Sequence, residues 1–148
     1  MTHTPRDPNF ELRVRRSFDR QTAMTMMGAT LSRVAPGEVE IELPFRSDLT
    51  QQHGFLHAGI TTSVMDTACG YAALTLMDPG VAVLSVEFKV NLLAPARGER
   101  FRGVGKVVRA GRTLSVVSGE FQAEPGGDVV AIMTATMMTV RDRPELSD

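Results

Sequence analysis

The chain has 148 residues, a length that suits one domain with a sizeable buried core. Sixteen basic and 17 acidic residues give a formal net charge of −1, and the basic residues are dispersed, so the composition does not favour a nucleic-acid-binding protein. A single cysteine, Cys69, excludes an internal disulfide framework.

The N-terminal part of the chain predicts a leader followed by a helix. Residues 1–8 contain charges and prolines where a signal peptide needs a continuous apolar run, so we expect a flexible leader and a cytoplasmic protein. From Phe10 to Met26, apolar residues recur at roughly helical spacing, which predicts one amphipathic helix laid on the edge of the core. Acidic residues among its basic ones favour a solvated face over a membrane-binding one.

Strands are predicted on both sides of a central apolar segment. Gly28 to Val34 and Glu38 to Leu43 read as two short strands around the turn Pro36-Gly37, and glutamates alternate with apolar residues in the second. Four longer strands are predicted over 81–93, 101–108, 113–123 and 129–140. Consecutive strands with short connections predict antiparallel pairing in a meander. The charged tail over 141–148 is expected to be flexible.

Between these strands, Ile60 to Met77 is apolar nearly all round, with Asp66 as its only formal charge. A helix of this kind belongs inside a protein, and we expect the sheet to curl round it and to leave one edge for a second copy. Its end is predicted near Asp78-Pro79-Gly80. Burying a lone carboxylate is costly, so Asp66 is either hydrogen-bonded for structural reasons or placed for chemistry. Cys69, on the same helix, is expected to be a small core residue.

The loop Gln51-Gln52-His53-Gly54-Phe55-Leu56-His57-Ala58-Gly59 leads into this helix. The first N–H groups of a helix have no intrahelical partner and carry the positive end of its dipole, so a developing oxyanion could use them. His53 and His57 are four positions apart, but in a loop and without further ligands this is a weak metal signal. The sequence contains no glycine-rich phosphate loop and no GxSxG, and we expect no metal and no cofactor.

The segment from Gln51 to Asp66, with Ser85-Val86-Glu87 and Leu92-Leu93-Ala94-Pro95-Ala96, resembles the hotdog-fold acyl-CoA thioesterases of the PaaI type. The most specific match is His57-Ala58-Gly59, followed by Asp66, where the family commonly has His-Gly-Gly and a carboxylate. Ala58 departs from that pattern but keeps its N–H. The resemblance covers about residues 35–140 and implies an α+β hotdog fold in one domain, 1–148. An antiparallel curved sheet would surround one long central helix, with an extra N-terminal helix.

The resemblance implies hydrolysis of an acyl-CoA thioester to the free acid and coenzyme A. The N–H of Ala58 would polarise the thioester carbonyl, and Asp66 would act as nucleophile or as general base on water. Gln51 would lie near the attacking group, His57 would order the loop and touch the thioester region, and Ser85 would assist at the opposite wall.

Substrate-binding residues are expected at Gly59, Phe55, Val86 and Arg112. Phe55, with Tyr71, Leu74 and Met77, could line an apolar slot for the acyl group. Arg112 is one of three turn arginines that could meet the phosphates of coenzyme A.

Geometry adds an expectation about assembly. Ala58 and Asp66 are eight residues apart, which is roughly 12 Å along a helix axis. A general base must come within about 3 Å of its proton, directly or through one water. One chain cannot bring both groups to one thioester, whereas two antiparallel copies of the helix can. We therefore expect a homodimer with shared sites, and the sequence leaves open whether dimers pair into a tetramer.

Two other functions stand beside hydrolysis. A non-catalytic acyl-CoA-binding module would keep the fold, but it has no use for Asp66, Gln51 and Ser85 together. A hotdog dehydratase or hydratase is the other alternative. Hydratases carry a histidine five residues after the aspartate, where this chain has Tyr71. Neither a nucleic acid nor a membrane is expected as a partner, and the sequence specifies neither the acyl group nor whether coenzyme A or a carrier protein bears it.

Overall fold

Six antiparallel strands form one sheet that packs on a central helix in the computed structural model, which describes residues 2–146. The helices are α1 (Phe10–Asp19), α2 (Thr22–Met27) and α3 (Ala58–Leu74). The strands are β1 (Thr30–Ala35), β2 (Glu38–Pro44), β3 (Ala82–Leu92), β4 (Arg100–Ala110), β5 (Leu114–Glu124) and β6 (Asp128–Val140). Short 3₁₀ turns lie at Ser47–Leu49 and Pro144–Leu146. Over residues 2–146, no helix is long and apolar enough to span a membrane.

The strand order is β1-β2-β4-β5-β6-β3. The predicted meander is correct for β4, β5 and β6 but wrong for β3, which pairs with β6 from Ala82 opposite Val140 to Leu92 opposite Ala131. The reason is the helical crossover, because α3 carries the chain across the sheet from β2 to the far edge before β3 begins. Strand β3 is therefore an edge strand, with β1 at the other edge.

Helix α3 lies unusually close to β4 and β5 because glycines face it. A Cβ atom added to Gly105 would lie 2.4 Å from the carbonyl oxygen of Ala68, and one added to Gly103 would lie 2.7 Å from Cγ1 of Val64. Gly119 on β5 is similarly close to the helix. These positions without side chains let the backbone of α3 sit directly on the two strands.

The predicted single N-terminal helix is in fact two helices, α1 and α2, with a corner at Arg20 and Gln21. Gln21 has an extended backbone (φ −82°, ψ 90°), and its N–H donates to the carbonyl of Phe18. The turn brings the Gln21 side chain onto α3, where it bonds to Thr67 and Tyr71. These tertiary contacts, which the amphipathic pattern does not encode, account for the break.

Helix α3 ends at Leu74, earlier than predicted, because Arg13, whose side chain is 9% exposed, binds the carbonyl groups at and beyond this end. Arg13 donates to the carbonyl oxygens of Leu74 at 2.8 Å, Met77 at 3.1 Å and Asp78 at 2.7 Å. It also pairs with the buried carboxylate of Asp7 at 3.2 Å. The arginine thus satisfies carbonyl groups that a continued helix would otherwise have bonded internally.

Both ends of the described chain make contacts with the rest of the fold. In the expected flexible leader, Nε2 of His3 donates to the carbonyl of Val107 at 3.2 Å, and Asp7 is buried. In the expected flexible tail, Arg141 pairs with Asp78 at 2.9 Å. The last two residues of that predicted tail, 147 and 148, lie outside the described residues.

We predict that Gly105→Ala strongly destabilises the fold. The added Cβ would meet backbone atoms of Ala68 and Cys69, which cannot swing aside as the end of a flexible side chain does. The expected loss is about 3 kcal/mol or more of unfolding free energy, measured by urea denaturation.

Gly70→Ala is the matched control, since a Cβ at this position of α3 meets nothing within 4 Å. That change should stabilise by about 0.5–1 kcal/mol through helix propensity. Equal stability of Gly105→Ala and the wild type would contradict the close helix–sheet approach.

Candidate functional site

Asp66 lies in the middle of α3, half-buried, and meets Ser85 on β3. The Ser85 hydroxyl donates to Oδ1 of Asp66 at 2.6 Å. Hydrogen bonds to a carboxylate are among the stronger neutral-to-charged contacts in proteins, and this one fixes one oxygen of the group. The structure thus brings together two of the predicted catalytic residues, whose roles stay predictions.

A cavity of about 480 Å³ opens beside this pair, and we call it the Asp66 cavity. Seven of its eleven lining residues have polar side chains, namely Ser17, Arg20, Gln21, Asp66, Thr67, Tyr71 and Ser85. The sequence did not single out Gln21, Thr67 or Arg20. Gln21 lies in what looked like an uninterrupted amphipathic helix, so no local signal marked it.

Gln21 links the polar side chains of this cavity. Its Oε1 accepts from the Thr67 hydroxyl at 3.1 Å, and its Nε2 donates to the Tyr71 hydroxyl at 3.2 Å. The Tyr71 hydroxyl in turn donates to Ser17 at 3.1 Å. Tyr71 thus lines the Asp66 cavity with its hydroxyl hydrogen-bonded, and its place in the predicted acyl slot stays a prediction. Leu74 and Met77, also predicted there, are buried core residues that line neither cavity described here.

The start of α3 has one available donor. His57 is the N-cap residue, and its Nδ1 accepts from the N–H of Gly59 at 2.8 Å. The N–H groups of Ile60 and Thr61 donate to the His57 carbonyl at 2.9 and 3.3 Å. Within residues 2–146, the N–H of Ala58 has no hydrogen-bond partner. Of the first four N–H groups of the helix, that of Ala58 is therefore the one left for a ligand.

Ala58 opens into a second cavity, of about 460 Å³, which we call the Ala58 cavity. Gln51 and Phe55 line it together with the end of β3 and the loop that follows. The Gln51 side-chain oxygen accepts from the N–H of His53, and the Arg97 guanidinium lies 4.5 Å from the centre of the Phe55 ring. The predicted residues Gln51, Phe55 and Ala58 are thus gathered in one place, apart from Asp66 and Ser85.

Three of the predicted substrate-binding residues, Val86, Arg112 and Gly59, line neither cavity. Val86 is the extra residue of a bulge in β3, between Ser85 and Glu87, and is exposed. Arg112 lies in the turn between β4 and β5, where its carbonyl accepts from Arg141. Both remain predictions, as does Gly59, which is exposed at the start of α3. Across residues 2–146, no three His, Cys, Asp or Glu side chains are grouped to hold a metal ion.

Cys69 is buried three residues after Asp66 and faces β5. Burial, together with the nearby charge of Asp66, raises the pKa of the Cys69 thiol to about 12. Since the thiolate is the nucleophilic form, this thiol is unreactive near neutral pH. The structure therefore agrees with the expectation of a small core residue.

We predict that native Cys69 resists alkylation by iodoacetamide at mildly alkaline pH, whereas the urea-unfolded chain is labelled. Because folding raises the pKa of this thiol from 9.0, its contribution to stability is intact below about pH 9 and is lost as pH rises toward about 12. Urea midpoints across that range should fall less steeply for Cys69→Ala than for the wild type. Rapid labelling of the folded protein would contradict the burial.

The sequence of this chain is similar to those of known thioesterases and esterases. Residues 53–130 match the profile of the thioesterase superfamily. Over 90 residues, 61% of this chain and 64% of the relative, the sequence is 38% identical to a putative esterase of Saccharolobus solfataricus, so the chain spans less than two thirds of that relative. Over 103 residues, 69% of this chain and 73% of the relative, it is 29% identical to human acyl-coenzyme A thioesterase 13.

Solved structures show the same fold. A thioesterase family protein from Silicibacter pomeroyi has 50% identity and a TM-score of 0.86, covering 88% of this chain and 98% of that one. The PaaI protein of the E. coli phenylacetic acid degradation operon has 16% identity and a TM-score of 0.82, covering 89% and 94%. The predicted α+β hotdog fold is confirmed.

Proposed function

Because the chain belongs to the thioesterase superfamily, we propose that it hydrolyses acyl-CoA thioesters to the free acid and coenzyme A, at a site shared by two subunits. The predicted family and enzyme class, a thioester hydrolase, are confirmed. The observation that carries the proposal is Asp66, a half-buried carboxylate on an otherwise uncharged helix, which accepts a hydrogen bond from Ser85 on β3.

Sharing between subunits follows from the position of the two groups. Asp66 and Ala58 open into different cavities of one chain and lie roughly 12 Å apart along the axis of α3. The edge strand β3 exposes Leu84 by 47%, Val86 by 53% and Phe88 by 43%. An exposed apolar edge strand is a natural surface for pairing with a second copy. Antiparallel pairing of two β3 strands would set Ala58 of one subunit against Asp66 of the other.

In this arrangement the thioester carbonyl oxygen accepts from the Ala58 N–H, at the positive end of the helix dipole. Asp66 then acts by one of two routes. As nucleophile, a carboxylate oxygen bonds to the acyl carbon, and the C–S bond breaks to release the coenzyme A thiolate, which takes a proton from solvent. Water then hydrolyses the anhydride to the free acid and the Asp66 carboxylate. As general base, the carboxylate takes a proton from water while the oxygen of that water adds to the acyl carbon; the C–S bond then breaks, and the leaving sulfur takes the proton held by Asp66. Ser85 holds one carboxylate oxygen and leaves the other to react.

The first test is Asp66→Asn, which keeps the shape of the side chain and removes its charge. We expect hydrolysis to fall about 10²- to 10⁴-fold, because either route needs the carboxylate, while acyl-CoA binding persists. Hydrolysis is measured as the release of free thiol from phenylacetyl-, benzoyl-, hexanoyl- and palmitoyl-CoA. Asp128→Asn, at the exposed start of β6, is the matched control and should keep activity. Binding without hydrolysis in the wild type would favour the acyl-CoA-binding module.

A second test removes only the proposed oxyanion donor. Ala58 is the first residue of α3, where proline fits a helix, and His57 has backbone angles (φ −61°, ψ 136°) that suit a residue before proline. Ala58→Pro should therefore keep the helix but lower kcat about 10²- to 10³-fold, since the N–H is gone. Ala58→Gly keeps the N–H and should stay active.

Mixing Asp66→Asn chains with Ala58→Pro chains tests the shared site directly. Each heterodimer would carry one site with both changes and one intact site. Random mixing should therefore restore about a quarter of the wild-type activity. If both groups came from one chain, no mixture would regain activity.

A further inference from the structure

Gln21 reaches the Asp66 cavity from the corner between α1 and α2, with part of its hydrogen-bonding capacity unused. A primary amide offers two N–H donors and two acceptor positions. Over residues 2–146, Gln21 uses one donor, toward Tyr71, and one acceptor position, toward Thr67. The remaining donor and acceptor belong to a half-buried side chain that lines a cavity.

The side chain of Gln21 has no local role in its own helix. Gln21 is the N-cap residue of α2, but its side chain makes no capping hydrogen bond. Its backbone carbonyl accepts from Met24 and Thr25 whatever side chain is present. The amide therefore acts only toward α3 and the cavity, and a change at this position leaves the backbone contacts of the corner in place.

The Ala58 cavity and the Asp66 cavity differ in the polarity of the side chains that line them. Only two of the eleven residues lining the Ala58 cavity, Gln51 and Thr61, have polar side chains, against seven of eleven in the Asp66 cavity. Arg97, stacked on Phe55, places a cation beside the Ala58 cavity. A cation suits the phosphate-bearing end of coenzyme A, but Arg20 lines the Asp66 cavity, so a cation alone does not assign that end. The acyl group is assigned to the Asp66 cavity because Asp66, the carboxylate proposed to act on the acyl carbon, lines it together with Gln21. This assignment differs from the predicted apolar slot, which included Phe55.

We propose that Gln21 is a specificity-determining residue that binds a neutral hydrogen-bonding substituent, such as a hydroxyl, on the acyl group. This inference rests on the proposed function and names the substrate class of that site. A plain alkyl chain would strip water from the amide and leave it unpaired, whereas a hydroxyl would replace the lost hydrogen bonds. The Asp66 cavity, at about 480 Å³, is large enough for a substituted acyl group, because a cavity of about 150 Å³ can hold benzene.

The test compares butanoyl-, hexanoyl- and octanoyl-CoA, each with and without a terminal hydroxyl, on wild type and Gln21→Met. We expect wild type to prefer the hydroxylated member about tenfold in kcat/KM at one chain length. Gln21→Met, which has a similar shape but no amide, should lose that preference. Gln122→Met is the matched control, because Gln122 lies on β5 and binds Arg102 and Glu120 away from both cavities, and it should keep the preference.

The ratio of kcat/KM values within each substrate pair separates recognition of the hydroxyl by Gln21 from a role of Gln21 in supporting the fold. If Gln21 only ties the corner to α3, Gln21→Met will lower both members of a pair equally, which would overturn the proposal. A preference for carboxylate-ended acyl groups would also overturn it, because it would assign recognition to Arg20. So would an effect that appears with coenzyme A thioesters but not with N-acetylcysteamine thioesters, which would place the coenzyme arm at Gln21.

A second variant, Thr67→Val, and the activity of the wild type itself complete the test of Gln21. If Gln21→Met does not fold, Thr67→Val removes the donor to Oε1 of Gln21 and should weaken the same preference. An unchanged preference in a folded Thr67→Val and an unchanged one in Gln21→Met would each count against the proposal. Failure of the wild type to hydrolyse any thioester would instead refute the proposed function, since that outcome does not depend on Gln21.

Discussion

The close approach of α3 to the sheet is the constraint on which the site depends. Gly103 and Gly105 on β4 and Gly119 on β5 present no side chain to the helix. The backbone of α3 therefore packs directly on Gly105, and the side chains of Val64 and Cys69 pack on Gly103 and Gly119. Helix rotation of about 100° per residue then directs Asp66 away from the face on which Ala68 meets Gly105. The carboxylate is turned toward the β3 side of the sheet, where the Ser85 hydroxyl donates a hydrogen bond to it at 2.6 Å. Packing at three glycines thus sets the direction of the carboxylate that we propose as the reactive group.

The backbone polar groups at the two ends of α3 differ in whether they have hydrogen-bond partners, and this difference bears on the proposed chemistry. At the C-terminal end, Arg13 binds three carbonyl oxygens and is itself neutralised by buried Asp7. Breaking a buried ion pair by removing one partner leaves an uncompensated charge, so this end is rigidly specified. At the N-terminal end, His57 occupies one donor and, among the described residues, leaves the Ala58 N–H without a partner. The N–H that we propose as the oxyanion donor is thus the one of the first four in α3 that the described residues leave without a partner.

Much of the architecture could be predicted because its signals are local. The alternation of Val39, Ile41 and Leu43 with glutamates specified β2, and the apolar run around Asp66 specified the buried helix. The pairing of β3 with β6 could not be predicted, since it depends on where a helical crossover delivers the chain. The break at Gln21 was hidden for a similar reason, because bonds to residues far along the chain decide it while the local pattern continues through it.

The candidate site likewise contains some residues that the sequence could identify and others that only tertiary contacts bring to the site. Ala58, Asp66 and Ser85 lie inside residues 53–130, the part that matches the thioesterase superfamily. Asp66 stood out in the sequence as the lone charge of an apolar segment, and the family resemblance pointed to Ala58 and Ser85. Gln21 and Ser17 lie outside that part and reach the cavity only because the α1–α2 corner folds onto α3. The shared core therefore holds the groups proposed for thioester chemistry, while an N-terminal segment supplies much of the polar wall that an acyl group would meet. On this division, changes in the N-terminal corner can alter which acyl group is accepted without moving the carboxylate that α3 and its glycines hold in place.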